Sequence, residues 1–225
     1  MACVVDEEKT SIGVKHLIKE GISADYAIFG EPSGTENVII GYRGSLIIKL
    51  TCKTVTGHSS TPWLFENAIE KMFELWRRIK ETRFQEEAPK GFFYNVSTCL
   101  TCLEGGGYAS NVPSKCKALI DIRVPPQLTC AQVYDRISER IKRYRKENPK
   151  VQIEAEVVDS IEPFEADKNS NLTLAFFNRH KEGNGKNSKT FKENGDKRHE
   201  PFRKSIENTC CGLRSRGLQF RSYIQ

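Results

Sequence analysis

Hydrophobic positions along the chain change rhythm several times, and each rhythm predicts an element. Residues 45–53 alternate, which places Leu46, Ile48, Leu50 and Cys52 on one face of a strand. Phe65, Ile69, Met72, Trp76 and Ile79 recur at spacings of four and three, the period of an amphipathic helix. Residues 95–103 and 117–124 read as two further strands. Thr129 and Gln132 form a capping box at the start of a helix with Val133, Ile137, Ile141 and Tyr144 on one side. Val151, Ile153, Ala155 and Val157 then alternate in a last strand. The order is β-α-β-β-α-β, the split-βαβ or ferredoxin-like unit with two helices on one face of four strands. One domain is predicted over residues 44–158, inserted into something larger of which 1–43 and 159–178 are pieces.

The first of those pieces opens on an apolar run, residues 1–5, read as a buried strand leading into Asp6-Glu7-Glu8. Residues 11–20 read as a helix, with Ser11 as N-cap and Gly21 just past the end. Residues 26–29 read as a second short strand ending at Gly30-Glu31-Pro32-Ser33. Both strands deliver carboxylates at their C-terminal ends, the edge where ligands bind in open α/β sheets. From residue 179 onward Lys, Asn, Gly and Arg dominate and no periodicity survives, so 179–225 is expected to be an irregular tail.

Charge changes the picture once it is divided. The 225 residues carry a net +6. The last 47 hold 12 basic and 5 acidic groups, so the remainder is near neutral and the basicity belongs to the tail. Hydrophobic content of 38% with 28% charged residues fits a soluble globular protein, and no apolar run reaches the ~20 residues of a spanning helix. Without a signal-peptide pattern the chain is read as intracellular, a cytoplasmic protein, and its eight cysteines as reduced thiols.

Several residues carry possible chemistry. Glu7 and Glu8 are neighbours at a strand end and point in different directions, so one can ligate a metal while the other handles a proton. An isolated acidic triplet is otherwise a solvated loop. Pro32 biases Glu31 towards extended backbone. His58, in Thr56-Gly57-His58-Ser59-Ser60-Thr61-Pro62, lies in a Gly/Ser/Pro loop where a ligand can reach it, although a solvent-facing loop histidine is the commoner case. Asn111 follows a run of three glycines. Arg123 alternates away from Ile120 and Ile122, which leaves it either solvated or aimed at an anion. Cys99 and Cys102 form a CxxC on a strand, where residues three apart face opposite sides, so the pair is set aside as a site.

Taken together, VVDEEKTSIGVKHLI, FGEPSG, GYRGSL, TGHSSTP with ENAIE, EGGGYASNVPSKC and DIRVPP resemble the M20 family of metallo-amidohydrolases and metallopeptidases. That family includes acetylornithine deacetylases, succinyl-diaminopimelate desuccinylases and hydrolases that release lysine or ornithine from an amino-group carrier protein. The resemblance covers residues 3–165 in the family's order. It implies an aminopeptidase-like α/β domain interrupted by a lid that makes a homodimer, and two ions of zinc or cobalt. By resemblance Glu7 is the general base, and Glu8 and Glu31 are metal ligands. His58 reaches the partner subunit's site to steady the tetrahedral intermediate, and Asn111 and Arg123 hold the substrate carboxylate. The substrate is an N-acylated or carrier-linked amino acid. The family's HxD motif precedes the stretch at which this chain begins, so the isolated chain is expected to be inactive.

The tail carries a further expectation. Bases able to encode residues 209–223 also permit IPVVAYGPGDSSLDHT when read two nucleotides earlier, which looks like the family's C-terminal end. A shifted reading frame is therefore expected for 179–225. Two other classes stand beside the enzyme: a non-catalytic lid-type dimerisation module, and a nucleic-acid binder resting on the basic tail alone.

Overall fold

The computed structural model describes residues 3–5, 12–28, 37–85, 91–184 and 189–192. Its helices are α1 Ile12–Lys19, α2 Ala68–Lys80, α3 Cys130–Glu147 and α4 Asn171–Asn184. Its strands are β1 Asn37–Tyr42, β2 Gly44–Lys53, β3 Gly57–His58, β4 Ser97–Gly105, β5 Asn111–Val112, β6 Lys115–Val124, β7 Gln152–Ile161, β8 Phe164–Glu165 and β9 Lys189–Lys192. The chain divides into two units: one made of Met1–Arg43, Gly91–Phe93 and Ile161–Gln225, the other of Gly44–Lys90 and Tyr94–Ser160.

The second unit contains a four-stranded sheet in the order β4-β6-β2-β7, together with α2 and α3. Strands β2 and β6 run antiparallel in unbroken register from Gly44↔Val124 to Lys53↔Lys115. Alternation then sorts the side chains. Leu46, Ile48, Leu50 and Cys52 of β2 join Cys116, Ala118, Ile120, Ile122 and Val124 of β6 in one buried layer. Met72, Leu75, Trp76 and Ile79 of α2 and Val133, Ile137, Ile141 and Tyr144 of α3 close over them. Each such aliphatic side chain contributes about 1.5–3 kcal/mol on leaving water.

Both helices start where their caps dictate. Asn67 Oδ1 accepts the backbone N–H of Ile69 at 3.0 Å and of Glu70 at 3.5 Å. Thr129 and Gln132 complete the predicted capping box. Helix α2 begins three residues later than the apolar spacing suggested, because Asn67 satisfies its first donors. Phe65 therefore lies in the loop, after a single 3-10 turn over Pro62–Leu64. The helices are clasped where Tyr144 donates its hydroxyl to the Lys71 carbonyl at 3.0 Å and to Glu74 at 3.2 Å. Burial, then the Glu74 carboxylate, push the Tyr144 phenol well above its ordinary value.

Strand β4 departs from expectation. Leu100 faces Ile120 and Cys102 faces Leu119, so Thr101 is the extra residue of a bulge, and its hydroxyl donates to the Leu119 carbonyl at 3.2 Å. The bulge brings Cys99, opposite Asp121, and Cys102, opposite Leu119, onto the same side of the sheet. The expectation that the two cysteines face opposite sides is overturned, because strict alternation does not survive an inserted residue.

The first unit holds a three-stranded sheet in the order β8-β1-β9. Val38 and Ile40 of β1 and Ala166 form a small core with Phe164, Leu172 and Phe176 against it. Three expectations are corrected here. Cys3–Val5 and Tyr26–Ile28 form no strand: no neighbouring strand pairs with them among the described residues, and Val5, Tyr26 and Ile28 are exposed. Residues 179–192 are not irregular throughout. Helix α4 continues to Asn184, and β9 pairs in parallel with β1 from Asn37↔Lys189, since backbone pairing needs no apolar alternation. Residues 193–225, and with them most of the tail expectation, lie outside the described residues, as do Glu7, Glu8 and Glu31.

Candidate active-site end of the lid

Beyond Lys53 the chain leaves the main sheet and is tied down at once. The Thr54 N–H donates to the Ser114 carbonyl at 2.8 Å, and the Thr56 hydroxyl to the Val112 carbonyl at 3.0 Å. Strands β3 and β5 then pair antiparallel, Gly57 opposite Val112 and His58 opposite Asn111. Directly opposed residues share a face, so the imidazole and the carboxamide emerge side by side. The Ser59 N–H extends the pairing to the Ser110 carbonyl at 2.8 Å. Gly57 is required because a Cβ there would run into the ring of Phe65. On the other side the chain reverses through Gly106, whose φ of +104° suits glycine.

Ser60 decides how His58 presents itself. Its backbone N–H donates to Nδ1 at 3.2 Å, and its hydroxyl lies 2.8 Å from the same nitrogen. A nitrogen that accepts an N–H carries no proton, so the neutral imidazole is assigned its proton on Nε2. An exposed N–H donor is thereby directed away from the loop. Trp63 and Tyr108 flank this end and are 77% and 83% exposed. Ser60 and these rings escaped the sequence reading. The H-x-S spacing was the available signal for Ser60; the exposure of the rings had none.

Arg123 is placed elsewhere. It sits on the sheet face away from the helices, donating from Nη2 to Asp121 Oδ2 at 3.0 Å, while the Ser45 hydroxyl donates to Asp121 Oδ1 at 3.5 Å. Arg123 is eight residues along β6 from Lys115, about 27 Å at an antiparallel rise. Asn111 lies beyond the Lys115 end. His58 and Asn111 are therefore brought together, whereas Arg123 of the same unit cannot share a small ligand with them.

Among the described residues no cluster of three or more His, Cys, Asp or Glu could hold a metal. The Cys102 thiol is pushed up by burial and by Glu104. With Glu8 and Glu31 outside the described residues, the described side chains do not make up a two-metal ligand set. Among the described residues no helix is long and apolar enough to cross a membrane.

Comparison with known proteins gives this geometry its context. The M20 family model described as a peptidase dimerisation domain matches residues 40–149. A [LysW]-lysine/[LysW]-ornithine hydrolase of Sulfurisphaera tokodaii is 29% identical over 176 residues, 77% of this chain and 45% of that protein. A succinyl-diaminopimelate desuccinylase of Coxiella burnetii is 32% identical over 155 residues, 65% of this chain and 40% of that protein. The chain thus spans less than half the length of these curated relatives. Among solved structures, an aminopeptidase of Bacillus cereus shares the fold with a TM-score of 0.61 at 15% identity, over 90% of this chain and 52% of its own. A tripeptidase of Staphylococcus aureus does so with a TM-score of 0.59 at 18% identity, over 80% and 46%. Residues 40–149 thus match the M20 peptidase dimerisation domain, and the chain's α/β fold is the one these solved structures share.

Proposed function

We propose that this chain is the lid-bearing part of a metal-dependent cytoplasmic amidohydrolase of amino-acid biosynthesis. Its reaction is hydrolysis of the amide of an N-acylated or carrier-linked amino acid, as the names of its relatives suggest. The observation that carries this reading is the pairing of His58 with Asn111 at the lid's end, with Ser60 occupying His58 Nδ1. An Nε2–H donor held in this way suits an oxyanion that develops as a carbonyl is attacked, where one such donor is worth roughly 10²–10³ in kcat.

In the same reading Glu7 takes a proton from the attacking water and passes it to the leaving amine. Glu8 and Glu31 supply carboxylates to a zinc or cobalt site. Asn111 and Arg123 contact the substrate carboxylate, Arg123 through its guanidinium fork. Because Arg123 and the His58–Asn111 pair stand at opposite ends of one lid, each serves a different substrate molecule. A homodimer through the lid resolves this: each site takes its fork from one subunit and its imidazole from the other. Strands β4 and β7 stand at the two edges of the sheet among the described residues, where a second copy can add to it.

The test transplants residues 44–158 in place of the lid of a succinyl-diaminopimelate desuccinylase. The chimera is expected to dimerise and to hydrolyse its substrate. His58→Ala is expected to lower kcat about a hundredfold or more, and Arg123→Gln to raise KM. Full activity in the His58→Ala chimera would refute the role of the imidazole. A monomeric chimera would favour a lid that does not dimerise.

A further inference from the structure

We propose that the hollow between the C-terminal end of α2 and the middle of α3 binds a multiply charged phosphate-type oxyanion. It has a volume of about 310 Å³ and is lined by Thr82, Arg83, Arg136, Glu139, Arg140 and Arg143. Positions 136, 139, 140 and 143 follow the i, i+3, i+4, i+7 spacing and form one stripe of α3. Arg136 Nη1 donates to the Arg83 carbonyl at 3.4 Å, which draws the segment after α2 against that stripe.

The charges here are unbalanced, and only here along the seam between the two helices. At the other end of the seam the cations are matched. Arg78 pairs with Glu74 and Glu147, and Lys71 with Glu66 and Glu74. In the hollow, Arg143 pairs with Glu147, while Arg83, Arg136 and Arg140 have no ion pair among the described residues. Four guanidinium groups thus face one lining carboxylate, Glu139. Like charges gathered in one hollow raise a positive potential there, and an entering anion relieves their repulsion. Guanidinium forks match phosphate oxygens two at a time, which makes a phosphate a better fit than a halide. The Thr82 hydroxyl donates to the Arg78 carbonyl at 3.0 Å, so recognition falls to the arginines. This site is separate from His58 and does not depend on the amide-hydrolysis reading.

The probe is inorganic pyrophosphate, titrated into the full chain by calorimetry at fixed ionic strength. One-to-one binding is expected. It should weaken about tenfold or more in R136Q/R140Q, which loses two charged hydrogen-bonding groups. K15Q/K19Q in α1 removes the same charge elsewhere and should bind as the parent does. Citrate should bind at least about tenfold more weakly than pyrophosphate, because its carboxylates are differently spaced. Three results would each overturn the proposal: no binding, equal loss in both double variants, or citrate binding as tight as pyrophosphate. Binding that appears only in E86Q/E87Q would also overturn it, since those carboxylates follow Arg83 closely in the chain and would then be the occupant.

Discussion

His58 and Asn111 stand directly opposite one another on β3 and β5, two strands of only two residues each. So short a ladder holds because its flanks are fastened: Thr54 and Thr56 to the segment 112–114, and the first N–H of α2, from Ala68, to the Pro113 carbonyl at 2.8 Å. The helix dock and the imidazole are thus positioned by the same few residues.

Ser60 should control the His58 tautomer. Long-range nitrogen–proton correlation spectra of the full chain should show the neutral ring protonated at Nε2. Ser60→Ala leaves the backbone N–H but removes the hydroxyl, so the fraction protonated at Nδ1 should rise. An unchanged tautomer ratio would mean that the backbone N–H alone sets it.

The layer between sheet and helices should dominate stability. Ile120 is fully buried in the centre of β6. Ile120→Ala should cost about 2–5 kcal/mol, the transfer term plus a cavity, read as a lower denaturant midpoint. Ile47→Ala, on the opposite face of β2, should cost far less.

Caps make a smaller and separable contribution. Thr129→Ala leaves the Gln132 N–H without the acceptor it holds at 3.2 Å. A loss of about 0.5–2 kcal/mol is expected, and Thr129→Ser should recover most of it.

Acid should weaken the second unit through two carboxylates. Hydrogen bonds from Arg78 and then Arg143 hold the Glu147 carboxyl below its ordinary value of 4.5, and Lys53 does the same for Glu154. Each group binds its proton less readily folded than unfolded. The stability they give is complete above the ordinary carboxylate range and is lost as pH falls through their lowered values. Melting temperature followed downward from pH 6 should decline below about pH 4.5, the ordinary value. Glu147→Gln together with Glu154→Gln should flatten the decline.

Tyr144 acts at the alkaline end. Its phenol is raised by burial and by Glu74, so its contribution is present below the ordinary value of 10 and is lost as pH rises beyond it. Tyr144→Phe should cost about 0.5–1.5 kcal/mol at neutral pH and remove that alkaline dependence.

Much of the second unit was legible from order along the chain. Leu46, Ile48 and Leu50 alternate because a strand half-buried on one face must alternate. Ile137, Ile141 and Tyr144 recur at helical spacing because they share one covered stripe. The capping box at Thr129 is a local chemical signal and needs no distant partner. What depends on distant partners was decided only by the tertiary structure. The Thr101 bulge exists in relation to β6, and it turned Cys102 onto the face of Cys99 against the alternation rule. The pairing of β9 with β1 joins segments about 150 residues apart by backbone bonds that leave no pattern in side-chain polarity. Among the site residues, Arg123 was visible as a polar residue on a predicted strand, His58 in a Gly/Ser/Pro loop and Asn111 after a run of three glycines. Distance along the chain did not reveal that His58 meets Asn111, 53 positions away, nor that Arg123, only 12 beyond Asn111, lies at the far end of the sheet. An extended strand carries neighbours in sequence far apart in space, and a ladder brings remote residues together.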